Sequence, residues 1–357
     1  MAPVPNSRLV FRELPSGLPD PSSVFELDAT PTIDVNAVEL DGGFLVRILS
    51  LSLDPYMRNR MRPADTEGDM PALPLGQVVT GFGVAQVVRS EHPSFPAGCH
   101  VGGFMPYQEY AIFRDSKEGA DESAAMPALG ITRLENRYNL PWRYFVGALG
   151  MTGQTAYYAF KDVSNPRPGE TILISAAAGA VGLLAVQYAL SLGLRVIATC
   201  GSDDKVAILR GLGVKHVLNR HTDDIAAELK RLGPIDIFLD LVGGPLLEAA
   251  IYNAAMNARF LICGSITTYN APMSEAFGVR NLWLVNRYRI TIRALVVIDW
   301  HDMYLAEFYS VVPKKIADGE IKVIEHICDN FEHAGQAFVN MLTGKSIGKS
   351  VIVLRDE

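Results

Sequence analysis

At 357 residues, with 49% apolar and 20% charged side chains, the chain is long enough for two domains and apolar enough for ordinary cores, which excludes intrinsic disorder. Its 32 basic and 39 acidic side chains leave a net charge of −7, without the basic excess that nucleic acid or an anionic membrane surface demands, so neither is an expected partner. The four cysteines, Cys99, Cys200, Cys263 and Cys328, are too scattered for a disulfide framework or a metal knuckle. They point to a reducing compartment, most simply the cytoplasm.

Met1–Val10 has no apolar stretch of leader length and is broken by Pro3 and Pro5. Phe44–Leu49 and Gly83–Val88 are short β-like runs, and turn residues crowd between them, as in Pro71–Gly76, which predicts an irregular β-rich first third. From about Trp142 strands alternate with helices. The run is strand Thr171–Ile174, helix Leu183–Leu190, strand Arg195–Thr199, helix Lys205–Leu212, strand His216–Leu218 and helix Asp224–Arg231. Strand Ile235–Asp240, a helix near Leu246–Ala255 and strand Arg259–Cys263 complete it. Such alternation predicts an α/β fold with a doubly wound parallel sheet. After Gly319 short strands return, ending in Ser350–Leu354, so the tail is expected to rejoin the first domain. The expected domains are 1–141 with 316–357, and an inserted 142–315. Thr171–Leu194 carries no charge, but Gly179, Gly182, Gln187 and Gly193 and its change of period make it a buried strand and helix rather than a membrane span.

The sharpest local motif is Ser175–Gly182, small residues between a strand and a helix, with Gly179 and Gly182 three apart. Such a turn lets backbone close on a pyrophosphate at a helix N-terminus; a tight turn packing two small faces is the plain alternative. About 20 residues on, where an adenine ribose would be read, the next strand ends in Thr199-Cys200-Gly201-Ser202-Asp203-Asp204-Lys205. Ser202 and Lys205 suit a 2′-phosphate and favour NADP over NAD, while Asp203 and Asp204 read as N-cap acids of the following helix. Seven histidines form no HExxH, and Cys99-His100 lacks partners nearby, so zinc chemistry is set aside. Gly344–Ser350 imitates a P-loop but its first glycine is one residue too close and a strand follows.

Taken together, several segments resemble the zinc-independent medium-chain dehydrogenase/reductases, within them the leukotriene/prostaglandin reductases and alkenal double-bond reductases. They are Leu51–Arg58, Pro74–Val79, Leu149–Tyr157, Ala176–Gly182, Gly201–Lys205 and Cys263–Asn270. Gly76-Gln77 stands where zinc relatives carry a Gly-His-Glu ligand motif. The resemblance implies a Rossmann sheet inserted in a GroES-like β-rich domain. It also implies NADPH-dependent reduction of the C=C bond of an α,β-unsaturated aldehyde or ketone, and a homodimer.

Carried onto this sequence, the resemblance puts the pyrophosphate loop at Gly179, Ala180, Val181 and Gly182 and the 2′-phosphate lysine at Lys205. Cys263, Gly264 and Ser265 lead the loop that lines the nicotinamide, and Leu295, Val296 and Val297 pass beside its carboxamide. Three positions depart from the family pattern: Arg220 replaces a phosphate-contacting tyrosine, Leu241 an asparagine, and Ser346 an asparagine. Arginine still suits a 2′-phosphate. Negative charge growing on the substrate carbonyl oxygen needs a donor, for which Tyr269, with the nicotinamide ribose hydroxyl, is the candidate; the alternative is a loop tyrosine packing on the cofactor. Tyr56 and Tyr107 are candidates for the substrate cleft, and Ser274–Arg289 for a mobile flap. Arg58 serves its turn, with Asp54 a possible partner. Ile290–Val297 reads equally as a dimer-forming edge strand or an internal one. The competing functions are NADPH:quinone oxidoreduction, a trans-acting enoyl reductase of a biosynthetic pathway, and a non-catalytic NADP-binding sensor.

Overall fold

A computed structural model describes residues 2–114 and 130–355 and divides the chain into two compact units. The first comprises 1–147, 326–345 and 350–357; the second comprises 148–325 and 346–349. The sequence alone draws these lines at 141/142 and 315/316, and the helix His301–Ala317 runs across the second of them.

The first unit is built on a seven-stranded antiparallel sheet. Its long strands Phe44–Ser52 and Thr80–Ser90 pair with each other, the second also with His100–Pro106. Lys349–Val353, from the far end of the chain, pairs with Phe44–Ser52 on its other side. All but one residue of Phe44–Ser52 is buried, because the strand is covered on both faces and has no water-facing side to fill with polar groups. The core gathers Phe11, Ile48, Leu51, Met57, Tyr107 and Phe338. Phe338 lies on the helix Ala334–Leu342, where the sequence pattern suggests only short strands; Ala334, Ala337, Phe338 and Leu342 bury one face of it.

Arg60 shows how polar groups enter this core. It is 1% exposed, yet Nε donates to the Pro71 carbonyl at 2.9 Å, Nη1 to the Thr80 carbonyl at 2.7 Å and Nη2 to the Thr80 hydroxyl at 3.0 Å. The guanidinium lies 5.0 Å from the centre of the Phe104 ring.

The second unit is a six-stranded parallel sheet. Across it the strands run His216–Asn219, Arg195–Cys200, Thr171–Ile174, Ile235–Asp240, Ala254–Ile262 and Thr291–Ala294. In chain order this is 3-2-1-4-5-6, so the connections reverse direction beside Thr171–Ile174. Ligands bind at that reversal in open α/β sheets because the two neighbouring loops part there. The central strands are largely apolar and packed on both faces, as in Ile235–Asp240, where only Asp236 is partly exposed. The fifth strand begins at Ala254, five residues before the apolar run at Arg259, because Ala254 pairs with Ile235 across a bulge. The uncharged segment Thr171–Leu194 is a buried strand followed by the helix Ala180–Ser191. Among the described residues no helix is long and apolar enough to cross a membrane.

Replacing Arg60 by Met would strand the carbonyls of Pro71 and Thr80 in the core, an expected loss of about 2–4 kcal/mol. The check is the midpoint of thermal unfolding of Arg60→Met against the parent chain.

Candidate functional site

At the end of Thr171–Ile174 the chain turns sharply into a helix. Ala176 takes a positive φ of 43°, the Gly179 N–H closes the turn on the Ala176 carbonyl at 2.8 Å, and the helix starts at Ala180. Gly182 is required by space: a Cβ there would lie 2.5 Å from the Ala176 oxygen and 2.6 Å from the Ala177 Cα. Gly179 caps the helix with no side chain, and the first turn holds no acid, so the positive end of the helix dipole is left for an anion. Gly179, Ala180, Val181 and Gly182 thus fit a pyrophosphate. The stretch that imitates a P-loop has a structural task instead. Gly348, at φ +71°, donates its N–H to the Ala178 carbonyl at 2.9 Å and bridges Gly179, and a Cβ on it would lie 2.0 Å from the Ile324 oxygen. Ser346, two residues earlier, is buried.

The next strand end gathers positive charge. Ser202, rather than Asp203 or Asp204, is the N-cap of the helix Asp203–Gly211, its hydroxyl oxygen accepting the Lys205 N–H at 3.4 Å. The two acids occupy the first turn, and Asp203 accepts from the Asn219 side chain at 2.9 Å. Lys205 is only 7% exposed, and burial first, then Arg220, hold its ammonium below the usual lysine range despite an opposing pull from Cys200. The Arg220 N–H donates to the Cys200 carbonyl at 2.9 Å, and its Nε lies 3.0 Å from where a Gly201 Cβ would stand. Arg220 thus adds positive charge to the surroundings of Lys205, an environment that suits a dianionic 2′-phosphate.

On the other side of the reversal lie the loops after Ile235–Asp240 and Ala254–Ile262. The N–H groups of Cys263 and Gly264 donate to the Asp240 carbonyl at 2.8 and 3.2 Å. Ser265 and Thr267 pack on Gly243 and Gly244, which take φ of +73° and +62°. A Cβ on Gly264 would stand 3.4 Å from both the Tyr269 phenol oxygen and the Leu241 carbonyl, so the half-buried phenol lies against the backbone of this crevice. Burial, with Asp240 beside it, pushes the Cys263 thiol up to about 12. The Leu295 N–H donates to the Ile262 carbonyl at 2.9 Å; Leu295 is buried, Val296 exposed and Val297 in between.

Residues expected at a substrate cleft part company in the first unit. Tyr56 is half-buried, its ring edge-on to Phe82 at 6.4 Å between centroids. Tyr107 is fully buried instead, its phenol donating to the Ser52 carbonyl and filling the space opposite Gly81. The Arg58 guanidinium donates to the carbonyls of Gly17 and Pro15. In the second unit the stretch expected as a flap is pinned at several points: Arg280 pairs with Glu248 at 2.9 Å, and Leu284, on the helix Trp283–Tyr288, is buried. Phe277 and Trp283 stay exposed.

Two residues with no assigned part, Ser175 and Asp240, prove central to the crevice. The signal for Asp240 is its place at the buried end of Ile235–Asp240, a strand apolar but for Asp236, where an acid must find partners indoors. Among the described residues no group of three or more His, Cys, Asp or Glu could hold a metal ion.

Residues 7–119 match the family described as the N-terminal domain of oxidoreductase, and residues 180–307 the family described as zinc-binding dehydrogenase. The NADP-dependent oxidoreductase RED1 of Cochliobolus heterostrophus is 39% identical over 98% of both chains. The 2-alkenal reductase (NADP(+)-dependent) of Nicotiana tabacum is 34% identical over 99% of both. Among solved structures, CurA of Vibrio vulnificus in complex with NADPH superposes with a TM-score of 0.85 at 29% identity, covering 98% of this chain and 100% of that one. With such likeness running the length of the chain, in sequence as in fold, it belongs to the medium-chain dehydrogenase/reductase family.

Proposed function

We propose that the chain is an NADPH-dependent ene-reductase that saturates the C=C bond of α,β-unsaturated aldehydes or ketones. The observation that carries the reading is the set of loops gathered at the strand ends of the parallel sheet, on either side of its reversal. The Tyr269 phenol lies against Gly264 at the strand ends, and Ser202, Lys205 and Arg220 converge across the sheet reversal. The uncapped helix at Gly179–Gly182 takes the pyrophosphate between them. Relatives named as NADP-dependent oxidoreductase and 2-alkenal reductase support the chemistry.

Bound NADPH supplies a hydride for the substrate's β-carbon. As that bond forms, negative charge grows on the carbonyl oxygen, and a phenol aimed at the oxygen stabilises it more in the transition state than in the ground state. Tyr269 fills this role and passes a proton toward the α-carbon, which completes the saturation. In the first unit Tyr56 is assigned to substrate contact, while Tyr107 is buried in that unit's core. The edge strand Thr291–Ala294 is exposed at all four residues, Ile292 included, and we assign it to a homodimer contact. Four free cysteines suit a cytoplasmic enzyme.

The deciding assay follows NADPH oxidation with a conjugated enone, a quinone and a saturated ketone, with product mass for each. A saturated carbonyl formed from the enone carries the reading. Turnover of quinone alone moves the assignment to quinone oxidoreduction, and binding without turnover of any of them to a sensor. Tyr269→Phe is expected to lower kcat about 10²-fold while the KM for NADPH changes little.

Lys205 gives a pH signature. Its ammonium is held low in the free protein, and a bound phosphate dianion raises it, so binding takes up a proton. The lysine's contribution to NADPH affinity is therefore complete below the depressed free-protein pKa and is lost as pH rises through the raised pKa of the complex. NADH, lacking the phosphate, is expected to show no such fall, and Lys205→Ala to weaken NADPH by roughly tenfold or more and flatten its pH dependence. Titrating both nucleotides by fluorescence between neutral and alkaline pH checks this. Ile292→Lys is expected to shift a dimeric protein toward monomer in light scattering.

A further inference from the structure

Three parallel strands, Thr171–Ile174, Ile235–Asp240 and Ala254–Ile262, bring their carboxyl ends to one residue, Asp240. Asp240 is 0% exposed. Its Oδ1 accepts the N–H groups of Val242 and Gly243, both at 2.9 Å, and the Ser175 hydroxyl at 3.2 Å. The Ser175 oxygen accepts the Leu241 N–H at 2.6 Å, which ties the first strand end into the same knot. The other carboxyl oxygen, Oδ2, is buried with no hydrogen-bond partner.

The loop gathered in this way, Leu241–Gly244, is the seat of the next one. Thr267 donates to the Val242 carbonyl through both its N–H, at 3.3 Å, and its hydroxyl, at 2.8 Å. A Cβ on Gly243 would lie 3.1 Å from the Ser265 oxygen. Two residues beyond Thr267 comes Tyr269, whose phenol rests against Gly264. Any shift of Leu241–Gly244 must therefore move the phenol.

We propose that Asp240 is a positioning residue for this site: Oδ1 fixes the loop on which Cys263–Tyr269 rests, and the buried carboxylate adds to burial itself in keeping Cys263, whose N–H donates to the Asp240 carbonyl at 2.8 Å, unreactive. The placement follows from the hydrogen bonds; its use in reduction rests on the ene-reductase reading. Conjugated enals alkylate thiolates, a C–S bond forming at the β-carbon and a proton adding at the α-carbon, and the thiolate, not the thiol, is the nucleophile. Burial and the neighbouring carboxylate both push the Cys263 thiol up, in the direction that suppresses this reaction.

Asp240→Asn keeps an acceptor at the Oδ1 position and removes the charge, whereas Asp240→Ala removes both. In the full-length chain, NADPH affinity is measured by nucleotide fluorescence, and the rate of Cys263 labelling by N-ethylmaleimide is read by peptide mass in a Cys99→Ser background. Asp240→Ala is expected to weaken NADPH by roughly tenfold, with Asp240→Asn restoring it to within about threefold. Asp240→Asn is also expected to label Cys263 about tenfold faster than the parent at the same pH. Unchanged affinity in Asp240→Ala, or unchanged labelling in Asp240→Asn, overturns the proposal. Should Asp240→Ala fail to fold, the labelling rate of Asp240→Asn decides alone. Neither readout needs turnover, so a parent enzyme that binds NADPH but reduces no enone refutes the functional reading without touching this one.

Discussion

How closely a helix can approach the end of a strand sets the geometry of the nucleotide-binding unit. At Gly182 that approach has reached the limit of what backbone permits, since a Cβ would fall 2.5 Å from the Ala176 oxygen. The closeness brings the positive end of the helix Ala180–Ser191 to the rim of the sheet, where a pyrophosphate can reach its amides. It also fixes the turn Ala176–Gly179 tightly enough that Gly348 can dock on Ala178 by main-chain contact alone. A side chain at Gly182 would thus disturb the phosphate cradle and the seat of the returning C-terminal segment together.

Along the rim, the sheet separates two electrostatic environments. At one side burial and, after it, Arg220 hold the Lys205 ammonium below its usual range. At the other, the acid Asp240 is buried where burial works against its charge, while three donors on one oxygen work for it. The proposed function uses the first for the phosphate that distinguishes the two nicotinamide nucleotides and the second to order the loops beside Tyr269.

What the sequence disclosed was whatever rests on neighbours in the chain. The strand Thr171–Ile174 and the glycine turn are local and readable from spacing and residue size, whereas the helix cap falls on Ser202 rather than on the acids Asp203 and Asp204 that the sequence suggests. Ala334–Leu342 is less legible because it is only nine residues long and Ala334, Gly335 and Ala337 dilute the apolar signal of Phe338, Val339 and Leu342 on its buried side. Ala254–Ala258 carries helix-forming alanines and becomes strand only because Ile235 is there to pair with. Tyr107 was placed on a cleft, yet it goes inward because Gly81, on the paired strand, leaves room for its ring. The role of Asp240 depends on three strand ends meeting, and no single stretch of sequence states that. Whether Thr291–Ala294 lay inside the sheet or at its edge was likewise a matter of partners, and it is the edge.

The pairing of Lys349–Val353 with Phe44–Ser52 bears on how the protein is made. Strand residues near Ser52 find their partners only at Val351, about 300 positions later, which at roughly 5–20 residues per second is some 15–60 seconds of synthesis. Through that interval the nascent β-rich unit carries an unsatisfied sheet edge, and the glycine turn lacks Gly348. Both units therefore reach their final hydrogen bonding only once Gly348–Val353 has been made. The chain is in this sense latched by a segment synthesised long after the strands it closes.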